Sequence, residues 1–133
     1  MKKDKKTMIV VLAVIVKDGR ILLTKRNQPS APDYHGKWNI PGGAVEYGEH
    51  PEEATIREAQ EELGITIRIL KTIPHIYHHT DKYRHAIFIS YLCEALSNDI
   101  TLNDESLAHQ WVKKDNIQNL NTLDPIIKLL SYI

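Results

Sequence analysis

The chain has a single cysteine, Cys93, among 133 residues, so no internal disulfide is available. That excludes the small secreted scaffolds whose cores depend on cross-links. Flanked by Tyr91 and Leu92, the thiol reads as a small core side chain rather than a nucleophile. Long apolar runs are also missing. The longest, Met8 to Val16, is too short to cross a bilayer. It follows a basic start, Met1 to Lys6, as a signal peptide would, yet it leads straight into Lys17-Asp18-Gly19-Arg20 without a small-residue cleavage site. The run is therefore expected to be a strand of a cytoplasmic protein with no membrane partner. Nor is there an excess of charge, since 17 Lys+Arg balance 17 Asp+Glu. A neutral chain has no general pull on nucleic acid or anionic lipid, so nucleic acid is not an expected partner and any polyanion must be held locally. Repeats, low-complexity tracts and linkers are absent, which leaves one domain expected over residues 1–133.

What is present suits a folded α/β chain. The 42% apolar and 26% charged residues are ordinary for a globular domain of this length. Ile9 to Val16 is β-branched and continuously apolar, as a strand buried on both faces must be. Asp18-Gly19 is a two-residue hairpin signal, with Arg20–Arg26 as the return strand. Residues 27–37 form a loop, and Ile65–Ile73 and Arg84–Leu92 read as further strands. Pro51–Leu63 is a predicted helix, with Pro51 at its first position, Glu52 and Glu53 at its positive end and Gly64 as its stop. A second helix is expected from Asp124 as N-cap, with Ile126, Leu129, Leu130 and Ile133 spaced to form one apolar face. Strands mixed with two helices predict an α/β (α+β) sandwich, its helices packed on a sheet.

Acid is concentrated in one place. Seven of the 17 acidic residues, Glu46, Glu49, Glu52, Glu53, Glu58, Glu61 and Glu62, fall between Gly43 and Ile65, with Arg57 as the one basic residue. Helical spacing puts Glu58, Glu61 and Glu62 on one face, with Ile56, Ala59 and Leu63 expected opposite, against the sheet. Clustered carboxylates raise each other's pKa unless a cation sits among them. An acidic face opposite an apolar stripe can be no more than solvated surface, but such a face normally intersperses Lys with Glu. The preceding Pro41-Gly42-Gly43 also offers backbone that can approach a ligand closely. Carbonyls and carboxylates together are a hard, all-oxygen ligand set that suits Mg²⁺ or Mn²⁺ rather than zinc.

Gly43, five residues, Glu49, seven residues, then Arg57-Glu58-Ala59-Gln60-Glu61-Glu62-Leu63-Gly64-Ile65 resembles the Nudix box of the Nudix hydrolase superfamily. Every fixed position of that pattern is met, and Trp38-Asn39-Ile40-Pro41-Gly42-Gly43 resembles the family's lead-in. The resemblance implies an α/β/α sandwich, with a mixed β-sheet flanked by the box helix and a C-terminal helix. It implies divalent-metal-dependent hydrolysis of a nucleoside diphosphate linked to another group, as in MutT-type pyrophosphohydrolases, most simply a nucleoside triphosphate or small nucleotide derivative. In this family the positions of Glu58, Glu61 and Glu62 bind metal and one of them acts as base. The Gly43 position offers its carbonyl to the metal, and Arg57 pairs with Glu49.

Outside the box, Arg26 is placed to contact a phosphate, against the alternative of a solvated strand end. Glu105 occupies a loop where related enzymes sometimes keep another metal ligand or base, and Glu46 is a weaker helper candidate. Trp38, Asn39 and Tyr77 complete the candidate substrate contacts, Trp38 with core packing as its competing role. His75, His78 and His79 have a spacing that converges only on a helix, whereas Pro74–Tyr83 reads as loop, so zinc is not expected there. Two other functions stay open: removal of pyrophosphate from RNA 5′ ends, and a nucleotide-sensing module without catalysis. The general base, the number of metal ions and whether the chain forms a homodimer are not set by these residues.

Overall fold

The computed structural model describes residues 6–133, without the side chains of residues 124 and 125. Most of the basic start, and capping by the Asp124 side chain, therefore lie outside the described residues. The strands are β1 (Thr7–Lys17), β2 (Arg20–Arg26), β3 (Trp38–Asn39), β4 (Gly42–Ala44), β5 (Ile67–Thr72), β6 (Tyr77–Thr80), β7 (His85–Ala95) and β8 (Ser106–Lys113). The helices are α1 (Pro51–Leu63) and α2 (Asp124–Leu129), with 3₁₀ segments at Lys114–Asn119 and Leu130–Tyr132. One mixed sheet carries the order β3-β2-β1-β7-β5, while β4 pairs with β1, β6 with β7 and β8 with β2.

β1 runs parallel to β7, with Val11 opposite Ile89 and Ala13 opposite Tyr91. Its apolar run divides by strand alternation. Val10, Leu12 and Val14 pack with Ile117, Ile126 and Leu129. Val11, Ala13 and Ile15 pack with Ala54, Ala59 and Leu63 of α1. This is why the run is continuous: the strand is covered on both faces. The resulting three layers are the expected α/β/α sandwich. The β1–β2 hairpin turns at Asp18 (φ 51°) and Gly19 (φ 75°), a pair of left-handed residues that matches the twist of the strands.

Four expectations need correction. Ile56 is 41% exposed, whereas Glu62 is only 5% exposed and lies on the buried face of α1 with Ala54, Thr55, Ala59 and Leu63. At about 100° per residue, that face centres near Glu62, between the predicted acidic and apolar stripes. The stretch read as loop, residues 74–83, contains β6, whose pairing with β7 supplies what its polar sequence does not advertise. β5 starts at Ile67, later than predicted, and β7 spans His85–Ala95 rather than Arg84–Leu92. The last helix does not continue to Ile133. It tightens into 3₁₀ geometry after Leu129, and Leu123 rather than Asp124 is its N-cap position. Among the described residues, no helix is long and apolar enough to cross a membrane.

Candidate active site

The site is built on the β4–α1 unit. His50 caps α1, its ring accepting from the Glu52 N–H at 3.0 Å while the Glu53 carboxylate accepts from the His50 N–H at 3.3 Å. Gly64 ends the helix at φ 67°, donating to the Gln60 carbonyl at 3.0 Å. The two glycines of β4 have separate reasons. A Cβ on Gly42 would lie 1.9 Å from the Val11 carbonyl oxygen of the sheet. One on Gly43 would meet the Glu58 carboxylate at 2.4–2.6 Å, so Gly43 leaves the space into which Glu58 turns.

Glu58, Glu62 and Glu105 present carboxylate oxygens that all lie within 4.8 Å of one another. The Glu58 side chain is 12% exposed, and burial pushes its pKa up against the opposing pull of Arg57. Glu62 is held by neutral donors: the Thr24 hydroxyl at 3.3 Å, the Ser106 hydroxyl at 3.1 Å and the Gly42 N–H at 3.3 Å. Burial, and then Glu105, raise its pKa to about 7. Desolvation thus dominates, not the repulsion among helix neighbours expected from the sequence. Three crowded carboxylates in a partly dry setting are a costly arrangement without a cation, and an all-oxygen donor set fits Mg²⁺ or Mn²⁺.

Arg57 braces the other side. It donates through Nε and Nη2 to both oxygens of Glu49 at 2.7 and 2.9 Å, a bidentate pair that holds the Glu49 pKa down at about 2. Its Nη1 reaches Glu58 at 2.9 Å and Glu61 at 3.1 Å, and Nη2 also donates to the Ala44 carbonyl at 3.0 Å. One side chain therefore ties loop to helix and aims Glu58. Glu61 stands apart from the Glu58–Glu62–Glu105 group, its side chain 55% exposed and held by Arg57. Glu46 sits at the rim, 3.7 Å from Arg57.

Two adjoining cavities share Asn39, Arg84 and Phe88. One holds the glutamates, with Gly43, Glu62, Glu105 and Arg26 in its wall. The other, about 260 Å³, is bounded by Tyr34, Lys37, His79 and Asp81. Of the candidate substrate contacts, Arg26 and Asn39 line these cavities. Trp38 packs against the α2-side core, and Tyr77 lays its ring on Phe88 at 5.6 Å with Lys128 4.7 Å away. Neither Trp38 nor Tyr77 is among the residues lining the two cavities. The histidines separate too: His79 pairs with Asp81 at 3.0 Å, His78 meets His85 at 3.4 Å, and His75 stacks on Tyr132. Cys93 is fully buried, and burial pushes its thiol up to about 12.

The NUDIX domain model matches residues 5–130. The chain belongs to the Nudix family. The nucleoside triphosphatase NudI of Escherichia coli O81 (strain ED1a) is 30% identical over 118 residues, covering 81% of this chain and 83% of that one. An ADP-ribose pyrophosphatase of Methanocaldococcus jannaschii is 31% identical over 115 residues, covering 84% and 65%. The crystal structure of a MutT NUDIX hydrolase from Burkholderia pseudomallei superposes with a TM-score of 0.86 at 31% identity, covering 97% of this chain and 99% of that one.

Three members of this Nudix site escaped the sequence reading: Tyr34, Asp81 and Arg84. Tyr34 and Asp81 lie in segments read as loop and Arg84 at the start of a predicted strand, and they meet because the 27–37 loop folds against the β6–β7 turn. The Tyr34 hydroxyl donates to Asp81, which also accepts from the N–H groups of Tyr83 and Arg84 at 2.8 and 3.0 Å.

Proposed function

We propose that this Nudix pyrophosphohydrolase splits the pyrophosphate bond of a small nucleotide, most simply a nucleoside triphosphate, using Mg²⁺ or Mn²⁺ held by Glu58, Glu62 and Glu105. The observation that carries the reading is the convergence of those three carboxylates beside a glycine whose missing Cβ makes room for one of them. Relatives named as a nucleoside triphosphatase and an ADP-ribose pyrophosphatase support a nucleotide substrate. The small cavity beside the glutamates favours a compact nucleotide over an RNA end. A cytoplasmic setting suits the buried, unpaired Cys93.

A divalent cation bound here supplies neutralisation of the phosphate oxygens and acidification of water. The chain's own groups do the rest. Glu62 lines the cavity, Glu58 turns into the space beside Gly43, and Glu105 closes the set from the loop before β8. Arg57 and Glu49 hold Glu58 in place. A carboxylate of this group, or exposed Glu61 at its rim, accepts the proton of the attacking water. Arg26 offers its guanidinium to the substrate phosphates from the same cavity wall.

The test is phosphate and pyrophosphate release from a panel of triphosphates, ADP-ribose, nucleotide sugars and dinucleoside polyphosphates in Mg²⁺. Triphosphorylated RNA is included, and Glu61→Gln and Glu62→Gln serve as variants. EDTA-sensitive turnover that collapses in Glu62→Gln is the expected result. Binding without turnover of any compound would instead place the chain with the sensing modules.

A further inference from the structure

Arg84 lines both the glutamate cavity and the 260 Å³ cavity, and Arg26 lines the first. The Arg26 and Arg84 guanidinium carbons lie 5.9 and 5.4 Å from the centre of the same Tyr34 ring, and that ring is only 7% exposed. Two like charges sharing one ring, partly out of water, disfavour each other. Burial, and then Arg84, push the Arg26 pKa down against the pull of Glu62 and Glu105. Yet among the described residues neither arginine has a carboxylate within 4.0 Å. Arg26 donates to the neutral Gln28 amide, and Arg84 Nη1 rests 3.6 Å from the Met8 sulfur. Arg84 Nε is buried with no hydrogen-bond partner, and so is the Asn39 side-chain oxygen in the same wall. A buried donor on a charged group carries a desolvation cost that a bound acceptor removes.

We infer that Arg84 and Arg26 form a two-armed clamp for the phosphate nearest the nucleoside, with the nucleoside seated beyond it in the Tyr34–Asp81 cavity. The inference rests on the nucleotide reading above and assigns Arg84, which that reading does not use. The placement decides which phosphate is held. Arg84 lines both cavities, which puts it between the carboxylates and the nucleoside space. Asp81 is not a ligand here, because Tyr34, Tyr83, Arg84 and His79 already occupy its oxygens. Its work is to hold the Arg84 backbone and the Tyr34 ring in register.

Calorimetric titration of the full chain in Mg²⁺ with AMP, GMP, CMP and UMP, each against its parent nucleoside, tests this. At least one monophosphate is expected to bind more tightly than its nucleoside. That advantage should fall about tenfold in Arg84→Gln and should shrink as salt rises. Arg84→Lys keeps the charge but not the fork, so it should retain part of the advantage; it carries the test if Arg84→Gln does not fold. An unchanged phosphate advantage in the Arg84 variants, or no advantage in the parent chain, would overturn the clamp. Turnover of triphosphates by the parent chain is measured alongside. A clamp without turnover removes only the hydrolase reading, and turnover without Arg84 dependence removes only the clamp.

Discussion

Arg57 and the Arg26–Arg84 pair border the same glutamate cluster and are satisfied in opposite ways. Arg57 is surrounded by carboxylates, with Glu49, Glu58 and Glu61 all within 3.1 Å. Arg26 and Arg84 have neutral partners and an unfilled donor. A guanidinium whose charge is cancelled inside the protein holds shape. One with no carboxylate in contact, beside a cavity, is available to an outside anion. The carboxylates divide in the same way: Glu49 is held at about 2 by its arginine, and Glu62, buried among neutral donors, is raised to about 7.

The largest effect is expected at Glu62. Gln is isosteric and can keep Thr24, Ser106 and Gly42 as partners by turning its amide, so the fold should survive. Loss of a ligating carboxylate should lower kcat by at least about 10²-fold, the scale of a missing catalytic group. Removal of a buried charge should meanwhile raise the melting temperature of metal-free protein. If EDTA-treated Glu62→Gln melts lower than the parent chain, Glu62 is structural and the contrast with Glu49 fails. Arg57→Met comes next. It leaves Glu49, Glu58 and Glu61 without a cation, and a loss of about 10–100-fold in activity or metal affinity is expected, as for other groups that orient metal ligands. Unlike Glu62→Gln, it should also lower stability at neutral pH.

Adjacent glycines sharpen the same division between scaffold and site. Gly43→Ala pushes only on the far end of the Glu58 side chain, so the protein should fold normally and lose about tenfold in metal affinity. Gly42→Ala pushes on the Val11 backbone and should cost about 3 kcal/mol or more, a heavy overpacking penalty. Denaturant melts and Mn²⁺ titration of the two variants separate these outcomes. Equal effects from both would mean that Glu58 does not depend on the space beside Gly43.

Much of this was legible in the residues, for identifiable reasons. The β1–β2 hairpin and the bounds of α1 are local events, written in Asp18-Gly19, Pro51 and Gly64, and they lie where those signals put them. The resemblance to the Nudix box likewise implies the pairing of Arg57 with Glu49, which the structure contains. What failed was what depends on the rest of the chain. Helical angles group Glu58, Glu61 and Glu62, but only the sheet decides that Glu62 turns in and Glu61 stays out; Glu105, already a candidate ligand from the sequence, joins Glu58 and Glu62 from another loop. The Tyr34–Asp81 contact joins residues 47 apart, each in a segment read as loop, so no local pattern announces it.

The smallest expected effect is a difference in acid sensitivity. Glu49 is held at about 2 in the fold, below an ordinary carboxylate value of 4.5, first by its hydrogen bonds from Arg57. Asp81 also falls to about 2, from 3.8. Burial raises it, but the Tyr34 hydroxyl and the Tyr83 and Arg84 N–H groups outweigh that. Both are carboxylates with depressed folded-state values. Each therefore contributes stability that is complete above its unfolded value and is lost as pH falls toward about 2. Urea midpoints of the parent chain should decline across that interval. Arg57→Met should remove the Glu49 share of the decline and leave the Asp81 share. Asp81→Asn should do the reverse and also raise KM, because Tyr34 and the Arg84 backbone lose their shared anchor. The two regions share no hydrogen-bond partner, so the double variant should flatten the acid limb by the sum of the single effects. A double variant no flatter than Arg57→Met would show that Asp81 is not titrating with the fold, and that the second region is held by packing around Tyr34 rather than by charge.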